Sequence, residues 1–204
     1  MKKVKMTILC CLLVGGFQSL AQAQTRDVSL GLKAGVSYSK LVGAEAVNYS
    51  STRGYHAGIF ATIGLRQWLS FGPELLYSQK GAAAQSSVGD FQLHYIELPL
   101  PLRMNVNGLF LEAGPQFAYL AKVQGESSNP NPLTRSNFKS LDMGYLVGFG
   151  YQRHTGLGIG LRYVGQFTKC LLSVNYATAG YVASPLQARN RAFQAYLSYT
   201  PKLR

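Results

Sequence analysis

The chain has 204 residues, enough for one domain of ordinary size or one small membrane barrel, with 20 Lys and Arg against 8 Asp and Glu. The formal charge of +12 permits contact with anionic lipid or sugar phosphates without demanding nucleic acid, and charged residues are only 14% of the chain while Gly (22) and Tyr (13) are abundant. Three cysteines, two of them at positions 10 and 11, exclude a disulfide scaffold and a cysteine-rich metal site.

Residues 1–23 read as a secretory signal peptide: Lys2, Lys3 and Lys5 precede an apolar run from Met6 to Phe17, and Ala21-Gln22-Ala23 is an A-x-A cleavage site. The run is shorter than the roughly 20 residues a membrane-spanning helix needs. Export leaves residues 24–204, starting at Gln24, as one barrel domain; losing three lysines takes the charge from +12 to +9 and leaves Cys170 alone.

Beyond residue 24 the apolar residues recur at period two, in eight segments of about ten residues. The first puts Val28, Leu30, Leu32, Ala34, Val36 and Tyr38 on one face, and the second Tyr55, Ala57, Ile59, Ala61, Ile63 and Leu65. The third, FGPELLYSQ from residue 71, opposes Leu75 and Tyr77 to Glu74 and Ser78. The fourth, HYIELPLPLRMNV from residue 94, alternates Ile96, Leu98, Leu100, Leu102 and Met104 with Tyr95, Glu97, Pro99, Pro101 and Arg103. Its prolines lack donors toward one neighbouring strand only, so one seam is weakened and the other stays whole. The remaining four present Leu109 to Tyr119, Met143 to Tyr151, Leu157 to Phe167 and Phe193 to Tyr199 in the same alternating manner. Connections alternate long (40–54, 79–91, 121–140, 168–191) and short (66–69, 106–108, 153–156), as long outward loops and short periplasmic turns do in a transmembrane barrel with both termini inside.

A soluble ligand-binding barrel turns its apolar face inward; an outer-membrane barrel turns it to lipid. Here the polar face decides. It carries eleven of the 22 glycines (31, 35, 58, 64, 72, 114, 144, 148, 150, 158 and 160) and few charges, which suits a cramped lumen and not a water-covered exterior. Those charges nearly balance, Lys33, Arg103 and Arg162 against Glu74, Glu97 and Glu112, with Asp142 near one rim, and are expected to pair as an interior network. Tyr38, Tyr55, Tyr77, Tyr119, Phe167 and Phe193 form an expected outer aromatic girdle, and Trp68, Phe71, Tyr151 and Tyr199 an inner one. The predicted fold is therefore all-β: an eight-stranded, antiparallel, up-and-down transmembrane β-barrel in the outer membrane.

The segments GLKAGVSYSKL, GYHAGIFATIGL, FGPELLYSQKG, LHYIELPLPLRM and LFLEAGPQFAYL resemble the PorT-type outer-membrane β-barrel family common in Bacteroidetes, from residue 29 to about residue 200. That resemblance implies the same location and barrel; a few relatives serve the type IX secretion machinery, and no catalytic residue is carried over. The ending SYTPKLR departs from the terminal aromatic residue that many outer-membrane barrels use.

His56 and His94 fall near the outer rim and His154 in an inner turn, none with a serine and carboxylate set around it. The G-x-G repeats of GFGYQRHTGLGIG run through two strands and a turn, not into a helix, so no dinucleotide site is expected. No cofactor, metal or catalytic activity is expected. Lys122, Arg135, Lys139, Lys169, Arg189 and Arg191 gather at the outer end, where lipopolysaccharide phosphates lie. The expected function is a non-enzymatic structural, adaptor or docking component of the envelope, with lipid, lipopolysaccharide and an envelope or secretion protein as partners; a small pore or transporter is the alternative.

Overall fold

The computed structural model describes residues 28–42, 49–84, 91–125, 140–167, 170–172 and 186–201, so the predicted signal peptide lies outside the described residues. The strands are β1 (Val28–Val42), β2 (Tyr49–Ser50), β3 (Thr52–Arg66), β4 (Leu69–Phe71), β5 (Glu74–Ala84), β6 (Phe91–Pro99), β7 (Leu102–Val106), β8 (Leu109–Gly125), β9 (Leu141–Gln152), β10 (Leu157–Gln166), β11 (Cys170–Leu172) and β12 (Leu186–Tyr199). β4 and β5 make one stave interrupted at Gly72-Pro73, and β6 and β7 another interrupted at Leu100-Pro101, giving eight staves; β2 and β11 add short ribbons to β5 and β12 at the outer rim.

Every pairing is antiparallel and the sheet closes on itself. One ladder row can be followed right round, from Val28 through Ile63, Phe71, Leu102, Ala113, Val147, Tyr163 and Phe193 to Tyr38. It returns to β1 ten residues beyond its start, the stagger that tilted strands must have to close a barrel. This row is apolar throughout and lies on the outer surface; Phe193 is 66% exposed and Leu109, on the same face, 65%. An outside built this way is a surface for acyl chains, not for water. No helix among the described residues is long and apolar enough to cross a membrane; the crossing is made by strands.

The prolines of the fourth stave sit where their missing donors do least harm. Leu100 N donates to Pro115 O of β8 at 2.9 Å, so donors at residues 99 and 101 would point the other way, toward the break at Gly72-Pro73. There Gly72 N donates to Pro101 O at 2.9 Å and Pro73 O accepts from Ala61 N at 2.9 Å. The two interruptions face each other and share one defect. At the inner end, Asn107 (φ 53°) and Gly108 (φ 85°) form the two-residue hairpin turn that requires positive φ at both positions, with Gly108 N donating to Asn105 Oδ1 at 3.2 Å.

The lumen's small residues are matched to large ones across the ladder. Gly31 lies opposite Phe60, Gly35 opposite His56, Gly150 opposite Phe110 and Gly160 opposite Tyr196. A Cβ on Gly160 would stand 2.4 Å from Tyr196 Cζ, and one on Gly31 2.4 Å from Phe60 Cζ. Each ring lies over the bare backbone of its partner glycine, so these glycines are what lets aromatic rings fill the bore.

The strands outrun the apolar pattern at the outer end. β1 continues to Val42, β5 to Ala84 and β8 to Gly125, while β6 starts at Phe91 and β12 at Leu186, so parts of the segments expected as loops are ladder. Backbone pairing needs no apolar face, and above the hydrocarbon boundary the outward positions are free to become polar.

Two outcomes test this architecture. With Cys170 replaced by Ser, a fluorophore on a cysteine at position 98 should be quenched by lipid-borne quenchers and one at position 97 should not; equal quenching would reverse the faces. Gly160→Val should lower unfolding stability by about 1–3 kcal/mol in vesicle-bound urea titrations, because Tyr196 must leave its place.

Candidate functional site

The interior network is centred on Arg162 of β10. Its Nη1 and Nη2 donate to Glu74 Oε2 and Oε1 at 3.0 and 2.8 Å, and its Nε donates to Glu112 Oε1 at 2.8 Å. Lys33 Nζ reaches Glu74 Oε1 at 2.5 Å, Arg103 Nη2 reaches Glu112 Oε2 at 3.0 Å, and the Tyr196 hydroxyl donates to Glu112 Oε1 at 2.8 Å. All six side chains are buried. Rings cover the cations: Lys33 Nζ is 4.1 Å from the Tyr196 centroid and the Arg103 guanidinium 4.3 Å from that of Phe110.

These contacts cross the bore, not merely the ladder. Arg162, Gly148, Glu112 and Arg103 lie in one row on four successive strands, so Gly148 stands between the two residues that pair. A Cβ on Gly148 would come within 3.0 Å of Glu112 Oε1. Its missing side chain is the space through which the pair meets.

Of the six residues expected to form one network, Glu97 lies apart. It pairs with Lys80, both buried, beside the Tyr95 ring and closer to the outer end. The apolar pattern places Lys80 in a loop, although it shares the parity of Glu74, Leu76 and Ser78; the strand simply continues. Asp142, also buried, accepts from Gln166 Nε2 at 3.4 Å. Among the described residues the lumen thus holds Lys33, Lys80, Arg103 and Arg162 against Glu74, Glu97, Glu112 and Asp142, four charges of each sign.

His56, expected near the outer rim, belongs to the lumen face of β3. It points inward against Gly35, is 1% exposed, and neither ring nitrogen has a hydrogen-bond partner among the described residues. His94 lies on the outer face, its Nδ1 2.6 Å from the Tyr77 hydroxyl, and His154 is in the inner turn. Among the described residues no three His, Cys, Asp or Glu gather as metal ligands would.

Of the basic residues expected at lipopolysaccharide phosphates, Lys122, Arg189 and Arg191 are exposed at the outer end, while Arg135, Lys139 and Lys169 lie outside the described residues. Lys122 is exposed because Ala121 is an extra residue: His94 pairs with Lys122 but Tyr95 pairs with Leu120, so the bulge inverts the faces beyond it.

A barrel with a charged, closed interior and an apolar exterior is common to many outer-membrane proteins, and comparison with known families narrows it. Residues 20–171 match the outer membrane protein beta-barrel domain family. The chain belongs to that family. It is an outer-membrane protein. No curated protein sequence matches it. Among solved structures it is similar to Neisserial surface protein A (15% identity, 85% of this chain and 98% of that one, TM-score 0.52). It is also similar to the outer membrane protein AlkL (10% identity, 89% and 94%, TM-score 0.51), determined in lipid bilayers. OprG of Pseudomonas aeruginosa follows at 12% identity, 86% and 96% coverage and a TM-score of 0.49. At such identities the likeness to Neisserial surface protein A and to AlkL speaks to fold alone.

Replacing Arg162 by Met should leave two buried carboxylates short of partners and cost about 3–5 kcal/mol of unfolding stability. Arg103→Met, which removes a single bond to Glu112, should cost less. Urea unfolding in vesicles, with detergent melts alongside, checks both; an Arg162→Met protein as stable as wild type would show that the pairs do not hold the barrel.

Proposed function

We propose that this protein is a non-enzymatic component of the outer membrane that works through its rim and loops, as a structural or docking element, and that its lumen is a filled core and not a conduit. The observation that carries this reading is the Arg162-centred network, which links β1, β5, β7, β8, β10 and β12 across the bore. A permeating solute would have to part several charge-assisted bonds at once, in a passage already occupied by Phe60, Phe110 and Tyr196. A binding partner, by contrast, meets the outer ends of β5, β8 and β12, which extend past the apolar band.

The PorT-like segments favour a particular place to seek that partner. They are the basis for proposing an envelope assembly of the type IX secretion kind, and cross-linking of intact envelopes followed by isolation of this chain is the means of finding it. The predicted cleavage after Ala23 belongs to the same reading and is checked by sequencing the N-terminus of the protein from outer membranes.

Planar bilayer recordings test the reading directly. The wild-type barrel should give no stepwise conductance, whereas Arg162→Ala combined with Glu74→Ala and Glu112→Ala should open a measurable pathway if the variant inserts. Regular unitary steps from the wild type would establish the pore reading instead.

A further inference from the structure

The outer ends of β3, β1 and β12 carry four cations whose arrangement calls for an anion. Lys40 of β1 lies directly opposite Arg191 of β12, Arg189 lies two residues further along opposite Val42, and Arg53 of β3 lies opposite Tyr38, diagonal to Lys40. Lys40, Arg53, Arg189 and Arg191 are all exposed. Like charges directly opposite each other in an antiparallel pair destabilise it. All four described carboxylates are inside the lumen, so nothing acidic among the described residues offsets this cluster.

Immediately below it the apolar wall is grooved. A depression of about 750 Å³ runs from Arg53 and Tyr38 past Phe193 to Leu161 and Phe149, with Ala195 as its floor. A second depression of about 570 Å³ continues it toward the inner end and shares Val36, Phe149, Leu161 and Ala195. The groove exists because Ala195 stands on the lipid face between Leu161 and Val36, with the small Ala34 beside it and the larger Phe193 and Leu197 on either side along β12. Arg53 borders both the cation cluster and the groove, so one ligand can occupy the two together.

We propose that this face is a binding site for a phosphorylated, multiply acylated glycolipid of the outer leaflet, lipid A, with its phosphates on Lys40, Arg53, Arg189 and Arg191 and an acyl chain in the groove over Ala195. Arginine suits the phosphate and the groove suits the chain. The site assigns to lipopolysaccharide only two of the cations expected from sequence, Arg189 and Arg191. Lys122 is on β8, four staves away on the opposite side of the ring, and is not part of it. The inference does not depend on whether the lumen conducts.

The test uses the full barrel in phosphatidylcholine nanodiscs containing a small fraction of diphosphoryl lipid A, with retained lipid counted by native mass spectrometry. Wild type should bind lipid A saturably, and K40Q/R53Q/R189Q/R191Q should bind about tenfold or more weakly, as should wild type given dephosphorylated lipid A. Ala195→Trp, which fills the groove, should weaken binding with all four cations present, and Lys122→Gln should not. Lys40→Gln with Arg191→Gln relieves a like-charge contact and so folds at least as well as wild type, which keeps the test valid if the quadruple variant fails to insert. Unchanged binding by the cation variants, an equal loss in Lys122→Gln, or equally strong retention of phosphatidylglycerol, which would mean generic attraction to anionic lipid, would each overturn the proposal.

Discussion

An amide with no partner in hydrocarbon is costly, and there is no water to satisfy it. This constraint shapes the molecule before any side chain does. A sheet in a bilayer must close, and the row from Val28 back to Tyr38 is the closure made visible. It also explains why the missing donors of Pro99 and Pro101 are set against a second interruption at Gly72-Pro73, where Gly72 N donates to Pro101 O. A proline pair facing an unbroken strand would have left that strand's carbonyls bare.

Closure then creates the next problem. Eight staves enclose a space too narrow for bulk water, yet period two delivers the non-lipid half of every strand into it. The chain meets this in two ways. Glycine faces a ring across the ladder at Gly31-Phe60, Gly150-Phe110 and Gly160-Tyr196, which fills volume. Among the described residues the lumen's charges come in equal numbers, and its four cations pair with Glu74, Glu97 and Glu112, because an isolated ion in such a space would be expelled or neutralised. Gly148 belongs to both devices, since without its vacancy Arg162 and Glu112 could not meet over β9.

Much of this was legible in the sequence because a two-residue period is a local property. Glu97 against Leu98, or Arg103 against Leu102, declares its face without reference to any other strand. What could not be read was whatever depends on register. That Arg162 bonds Glu74, and that Glu97 belongs to Lys80, follows from how strands are staggered round the ring, which no single segment encodes. The apolar pattern puts Lys80, Lys40 and Arg53 in loops because the apolar residues that advertise a strand stop at the bilayer boundary while pairing does not. Lys122 shows the opposite limit: the alternation there is real but changes phase at Ala121, and a bulge leaves no mark in a residue pattern read by parity.

The same boundary divides the labour of the molecule. Below it every outward position is committed to lipid and every inward one to filling or pairing, so substitutions there act first on stability. Above it the ladder still holds the backbone in place while the outward side chains answer to no packing demand. That is why cations with no acidic neighbour among the described residues can sit face to face at Lys40 and Arg191 without loosening the barrel beneath: the strain is borne by a rim already anchored by ladder bonds and by the Tyr163-Phe193 contact, ring centroids 5.2 Å apart. A rigid frame that tolerates an unfavourable charge arrangement at its edge is a frame able to recognise the opposite charge there, and the recognition draws on the very repulsion that pairing would otherwise have removed.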